Sequence, residues 1–482
     1  MAHRTFLQVE NVHSRLVSTN RELFEILHNK LRFRPKNFWH NAAYKKKRWD
    51  GFKNFFDLKN GKFLTGLLPE VRLALQTLDA PYEMLDHRKP LQWQYDSIDQ
   101  QFLNQWLPEG FDPITLHDFQ ADLANNAIRY NRGLVQAPTA SGKTFILVSL
   151  LKCLPPKTPV LFLTKNSGLV HQNYEEMKLW GVENLGRWYG PYKEPDYVMC
   201  VTSHKKTFES LEKLLPKFKV LLVDEVHDCM SDVPMRAFKK MKNATVRVGF
   251  SATPFKWNKK KVDDVHKYTV KGLFGPIFKT STTESGFLTT KELQERCVLA
   301  KSNCTFYPIT EPNLAYEPYQ DAVKMGIEQN FHFHEIVRKL ARSREGRTLV
   351  IVERIDQGEY LKQLMPEAYW IQGKNSLAER QPVINALKKG EKCIAIIMRP
   401  IITAGINIMI HDLINAAGGE GAHNVIQQMG RGLRTANDKE VLQYHDFHFL
   451  INDYLRKHSE WRMKVLEKEG HTVTTIKAEA DA

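Results

Sequence analysis

The sequence predicts an α/β protein, two units of parallel sheet preceded by a small basic α+β domain. Three observations carry this. A strand, a tight loop and a helix follow one another between Gly133 and Leu151. Short apolar strands then alternate with amphipathic helices, the pattern of a parallel sheet covered on both faces. The alternation restarts near Arg347 without a second loop of the first kind. At 482 residues the chain is too long for one ordinary core. The expected divisions are 1–110, 111–290 and 291–482.

Composition narrows the class. Hydrophobic residues make up 42% and charged residues 26%, as in a soluble globular protein. No apolar run approaches a membrane span and no signal-peptide core opens the chain, so the expectation is a cytoplasmic protein without a membrane partner. The formal net charge of +15 favours a polyanionic partner. The 6 cysteines show no CxxC pair, which excludes a zinc module or a disulfide framework as the organising element.

In the first unit, Arg21 to Leu31 has helical periodicity. Eleven Lys/Arg then stand against two acids between His28 and Thr65, interleaved with aromatics such as Phe33, Trp39 and Phe52. The densest run is Lys45-Lys46-Lys47-Arg48-Trp49. Cations at this density fit phosphate contacts, while each aromatic either stacks on a base or braces the fold. Residues 88–113 read as a connector punctuated by proline and glycine.

Ala137-Pro138-Thr139-Ala140-Ser141-Gly142-Lys143-Thr144 lies where a strand turns into a helix. Backbone N–H groups and a helix N-terminus converge there on an anion, the arrangement of a phosphate loop. Lys143 is placed for the β/γ-phosphates and Thr144 for Mg²⁺, so ATP and Mg²⁺ are the expected cofactors. Gln120, just upstream, offers an amide that matches an adenine edge. Val220–Val223 runs into Asp224-Glu225-Val226-His227, where Asp224 would hold the metal and Glu225 would deprotonate the attacking water. Residues 255–271 read as a surface loop and 276–281 as a strand. In the second unit, Arg431 and Arg434 share one helical face and suit a developing phosphate charge. The stretch from Phe447 to Glu469 reads as one helix, with a frayed tail after Gly470.

These motifs resemble those of the superfamily 2 helicases of the DExH type, across roughly residues 111–455. Gln120 matches the Q motif and Ala137–Thr144 motif I. Thr164–Gln172 is similar to motif Ia, Val201–Ser203 to motif Ib and Asp224–His227 to motif II. Ser251–Pro254 matches motif III, Thr403–Asn407 motif V and Gln427–Arg434 motif VI. The resemblance implies two RecA-like lobes, with Gly405 and Asn407 joining the nucleotide site. It also implies that His227, Ser251, Thr253 and Gln427 couple nucleotide to DNA, and that Thr164, Lys165, Thr202 and Thr403 touch the DNA backbone. Arg48-Trp49-Asp50-Gly51 is similar to the N-terminal segment of the phage UvsW-like helicases of branched DNA. The expectation is a monomeric ATP-dependent DNA helicase or translocase acting on forks, junctions and R-loops, in the host cytoplasm if phage-encoded. An RNA helicase, a duplex translocase subunit of a restriction or remodelling assembly, and a catalytically idle binding module are the alternatives.

Overall fold

Every second residue of β1 (Phe6–Val9) and β2 (His13–Val17) is buried, so the two strands lay one apolar face on a core. The computed structural model describes residues 4–477 apart from 108–109, 259–260, 389–391, 404–407, 422–424, 427–428, 431 and 434–440. The side chains of 257, 258, 261, 377, 378 and 403 are also left out of the description. Two compact units divide the chain: Met1–Ala137 with Gly142–Leu288, and Pro138–Ser141 with Thr289–Ala482.

The N-terminal domain is α+β. Helix α1 (Arg21–Lys30) follows β2 and is capped by Asn20. A short pair, β3 (Arg32–Phe33) and β4 (Lys53–Asn54), brackets the basic segment and its helix α2 (Ala42–Lys45). Strand β5 (Lys62–Leu64), helix α3 (Leu68–Thr77) and strand β6 (Glu83–Asp86) complete the domain, with sheet order β5-β2-β1-β6. Phe24, Leu27, Phe56, Phe63 and Leu75 fill the core.

The first lobe opens with α4 (Asp118–Tyr130), β7 (Arg132–Gln136) and α5 (Lys143–Lys152). There follow β8 (Val160–Thr164), α6 (Ser167–Leu179), β9 (Leu185–Tyr189), β10 (Tyr192–Lys193), β11 (Val198–Thr202) and α7 (Lys205–Leu211). Next come β12 (Val220–Val223), α8 (Asp232–Lys240), β13 (Val246–Ser251), a hairpin of β14 (Trp257–Asn258) and β15 (Lys261–Val262), and α9 (Asp264–Phe274). The sheet order is β10-β9-β11-β8-β12-β13-β7, parallel except for β10. Every residue of β8, β11, β12 and β13 is buried, so both faces are covered.

Two expectations fail here. Residues 255–271 are not a surface loop: α9 begins at Asp264, capped by the Asp263 side chain, and buries Val270, Leu273 and Phe274. Charges spaced along one face of α9 disguise that apolar stripe. Residues 276–281 contribute only a bridge from Ile277 to Leu134.

The N-terminal domain is fastened to the first lobe through α9. Phe33 stacks on Tyr268 with ring centroids 4.3 Å apart, and Lys53 Nζ donates to Thr269 Oγ1 at 3.1 Å. Lys271 pairs with Glu70. At Gly66 the backbones touch, since a Cβ there would lie 2.0 Å from the Lys271 carbonyl oxygen. Buried Arg132 donates to the carbonyls of Leu273 and Asn11, tying β7, α9 and the N-terminal domain together.

In the second unit a wholly parallel sheet runs β18-β19-β17-β20-β21-β16-β22. Its strands are β16 (Lys301–Ile309), β17 (Arg347–Val352), β18 (Tyr369–Ile371), β19 (Cys393–Met398), β20 (Asp412–Asn415), β21 (Val441–Phe449) and β22 (Thr472–Thr475). The expected single helix from Phe447 to Glu469 is strand to Phe449 and helix only over Asp453–Lys468, capped by Asn452. Nor are Thr472–Thr475, just after Gly470, frayed, because they form β22 and pair with β16; residues 478–482 lie outside the described residues. Asp446, inside β21, is fully buried and takes both arms of the Arg462 guanidinium, at 2.8 Å and 2.7 Å. Asn415 and Tyr444 donate to the same carboxylate at 2.9 Å and 2.8 Å.

Candidate nucleotide and nucleic-acid site

Parallel register brings the polar motifs of the first lobe to one edge of its sheet. Thr164 and Thr202 end paired strands and lie opposite each other. The Asp224 N–H donates to the Leu163 carbonyl at 2.9 Å, and the Ala137 N–H to the Ser251 carbonyl at 3.2 Å. Five strand ends therefore present their residues together, at the carboxyl edge where open α/β sheets take ligands.

The loop after β7 has the backbone of an anion cradle. Ala140 and Gly142 adopt positive φ of 67° and 78°, and Gly142 caps α5. Ser141 Oγ donates to the Pro138 carbonyl at 2.7 Å, closing the turn. Lys143 Nζ donates to the Ala137 carbonyl at 3.1 Å, across the mouth of its own loop. Thr139 Oγ1 is buried without a hydrogen-bond partner among the described residues. An orphaned hydroxyl and a loop turned by two positive φ angles into a helix N-terminus fit a bound polyphosphate, and Thr144 with Asp224 supplies the hard oxygen donors that Mg²⁺ prefers. Gln120 is buried and spans two jobs. Its Oε1 accepts from the His117 N–H at 2.9 Å, while its Nε2 packs so closely on Gly142 that a Cβ there would lie 2.3 Å away.

Glu225 sits in the left-handed region at φ 45°, which turns its carboxylate away from the strand line. Its Oε2 accepts from Ser251 Oγ at 3.3 Å, and that Oγ meets His227 Nδ1 at 2.8 Å and the Thr253 N–H at 3.0 Å. His227 Nε2 lies 3.5 Å from Asp228 Oδ2, which in turn takes Lys165 Nζ at 2.8 Å. Burial alone would raise the Asp228 carboxyl, but His227 and then Lys165 outweigh it and hold the group well below the usual carboxylate range. A continuous polar chain thus joins Glu225 to the exposed ammonium of Lys165.

His266 of α9 extends this chain and escapes motif reading altogether. Its Nδ1 accepts from the Lys256 N–H at 3.2 Å, so Nε2 carries the proton and donates to the His227 carbonyl at 3.0 Å. Burial, above all, pushes this imidazole down to about 4, which keeps it neutral. Asp228 adjoins the DExH residues in sequence and was findable by proximity; His266 had no such signal.

Other expected contacts lie differently. The Thr164 and Thr202 hydroxyls are fully buried, donating to the Asn166 carbonyl at 3.2 Å and bonding Thr207 Oγ1 at 2.9 Å. Expected backbone contacts from these two are corrected accordingly: the exposed group at those strand ends is Lys165. Lys45, Lys46, Lys47 and Arg48 are all exposed, whereas Trp49 is half-buried and donates its indole N–H to the Phe52 carbonyl at 2.7 Å. Trp49 is therefore a brace, and the ring offered to solvent is Trp39, 51% exposed and edge-packed on Phe38. Gly405, Asn407, Gln427, Arg431 and Arg434 lie outside the described residues, as does the side chain of Thr403.

Comparison with known proteins agrees with this geometry. Residues 113–256 match the family described as type III restriction enzyme, res subunit, and residues 332–436 match the helicase conserved C-terminal domain. A curated relative, DNA 3'-5' translocase XPB2 of Sulfurisphaera tokodaii, is 22% identical over 375 residues, covering 69% of this chain and 81% of the relative. S. cerevisiae Dbp5 bound to RNA and ADP BeF3 superposes with a TM-score of 0.52 at 15% identity, covering 73% of this chain and 89% of that one. The crystal structure of bacteriophage T4 UvsW gives a TM-score of 0.47 at 16% identity, covering 98% of this chain and 99% of that one. Among the described residues no helix is long and apolar enough to cross a membrane. With a small N-terminal domain followed by two RecA-like lobes, the chain carries the helicase domains of superfamily 2 and hydrolyses ATP.

Proposed function

We propose that this chain is an ATP-driven DNA helicase or translocase that remodels branched DNA. The observation that carries the reading is the chain of contacts from Glu225 through Ser251, His227 and Asp228 to Lys165, which couples a hydrolytic carboxylate to an exposed cation on the same lobe. The relative named as a DNA translocase supports DNA over RNA. Docking of the basic N-terminal domain on α9, the helix that also anchors the His227 carbonyl, supports action at a branch: a module holding duplex would feel the motor.

In this reading Lys143 and the loop hold the phosphates, and Thr144 and Asp224 hold Mg²⁺, which would neutralise phosphate charge. Glu225 takes the proton of the attacking water, and Ser251 keeps its carboxylate aimed. Arg431 and Arg434 neutralise charge developing on the γ-phosphate. The test is ATPase activity with single-stranded, duplex, forked and four-way DNA and with RNA. Glu225→Gln should bind ATP normally and lose turnover by about 10²–10⁴-fold, the range for a general base; Lys143→Ala should lose both. Stimulation by RNA alone would replace the DNA reading, and wild-type turnover in Glu225→Gln would remove the assigned base.

A further inference from the structure

The N-terminal domain and the first lobe enclose a cleft of about 1070 Å³ that belongs to none of the motifs above. One wall comes from the N-terminal domain, with Lys53 of β4, Lys59 of the following turn and Lys62 of β5. The other is α8, which brings Arg236 and Lys239. These last two are three residues apart and share one helical face. All five cations are exposed.

Two carboxylates, Asp57 and Asp232, also line the cleft. Asp57 is occupied within its own turn, accepting from the N–H groups of Lys59 at 2.8 Å and Asn60 at 3.3 Å. Among the described residues Lys59, Lys62, Arg236 and Lys239 form no ion pair with either acid or with any other. His13, at the edge of the cleft, registers the resulting field. Burial, then Lys62, Lys239 and Arg247, push its imidazole down to about 4. Five cations gathered on facing walls outnumber the two carboxylates there; that excess opposes the folded state, and the natural remedy is a bound polyanion.

The kind of anion follows from the arrangement. A single phosphate or nucleotide is held by backbone N–H groups converging on one point, as in the loop before α5. Here the cations come from separate elements on two walls and end in exposed side chains, the pattern that tracks successive phosphates. Helix α8 follows the Asp224–His227 turn directly in the chain.

We propose that this cleft holds the sugar–phosphate backbone of one DNA strand, so that the N-terminal domain and the helix leaving the DExH turn grip the same stretch. This rests on the DNA reading above and adds to it the place where the N-terminal domain acts. The grip is assembled only by folding, and it is distinct from the exposed run Lys45–Arg48, which lies outside the cleft lining.

The first experiment measures binding of forked DNA at several salt concentrations for wild type and for the triple variant Lys59→Gln, Lys62→Gln, Lys239→Gln. Loss of three phosphate contacts should flatten the salt slope by up to about 2.7, at roughly 0.9 for each contact. ATPase without DNA should be unchanged, because none of the three belongs to the nucleotide site. The second uses wild type alone: lysine acetylation with and without forked DNA, read by mass spectrometry. Lys59, Lys62 and Lys239 should be protected, and Lys213 and Lys217, which do not line the cleft, should not. If wild type neither binds DNA nor is stimulated by it, the proposed function fails. If wild type binds DNA but the three lysines stay fully reactive and the variant keeps its affinity and slope, the cleft proposal fails and the function stands. Protection by RNA of equal length, with none by DNA, also overturns it.

Discussion

Asp228 in the first lobe and Asp446 in the second are both carboxylates shared among several partners, yet they are built for opposite purposes. Asp446 is 0% exposed and its Arg462 partner 1%; the pair is bidentate, and three further donors, Asn415, Tyr444 and the Phe447 N–H, saturate the carboxylate. Asp228 is 18% exposed and its Lys165 partner 49%, each contact is made through one oxygen, and the His227 contact is stretched to 3.5 Å. A saturated, dry carboxylate has one low-energy arrangement. A half-wet one with single-point partners can exchange them at little cost. Dryness and saturation, more than the presence of an ion pair, separate a scaffold from a working part.

The contrast can be broken at its rigid end first. Asp446→Ala leaves the Arg462 guanidinium buried and uncompensated, and should destabilise the second lobe by about 3–5 kcal/mol. Urea unfolding of the full chain checks this, and the double change Asp446→Leu with Arg462→Met should recover much of the loss. Preserved stability in Asp446→Ala would mean that the buried network is dispensable.

At the other end, Asp228→Asn should cost less stability than Asp446→Ala, since its partners meet one oxygen only and Lys165 is half exposed. Its effect should appear in coupling: DNA-stimulated ATPase falls while the DNA-free rate holds. His266→Gln should act in the same direction by loosening the His227 carbonyl. Equal losses with and without DNA would turn both residues into parts of the nucleotide site.

The last prediction is a pH dependence. His13, His266, His334 and His471 are each pushed down to about 4, burial being the largest cause in every case. An unfolded chain takes up those protons near pH 6.5, the folded chain only near 4. Between the two, the unfolded state binds more protons, so stability must fall as pH drops through that window. Urea midpoints compared between pH 7 and pH 5 should decrease, and an unchanged midpoint would remove the burial argument.

What could be read from the sequence follows the reach of the interactions. Strand ends such as Val223-Asp224 and Phe250-Ser251 are legible because a buried parallel strand is a continuous apolar run and its functional residues come next in the chain. Helix α9 was not, since its stripe is interrupted by Lys267 and Lys271 and its partners, Phe33 and Gly66, lie some two hundred positions upstream. His266 shows the same limit: its meaning depends on the His227 carbonyl, 39 residues away. Lys45–Arg48 stood out as a run, whereas Lys59 and Lys239 become neighbours only when the N-terminal domain docks. Thr164 and Thr202 were placed correctly along the chain but misread in direction, because the sense in which a hydroxyl points is decided by packing.

Strand β22 has a consequence for handling the protein. It pairs in parallel with β16 from Asn303↔Thr472 to Phe306↔Thr475, and the Ile476 N–H adds a bond to the Phe306 carbonyl at 2.9 Å. Without it, β16 would present a long row of unpaired N–H and C=O groups flanked by buried Cys304 and Phe306. A chain cut after Gly470 should therefore keep its motor residues yet self-associate edge to edge, and a tag or fusion placed at residue 471 should precipitate a protein that the same tag beyond residue 477 leaves dispersed.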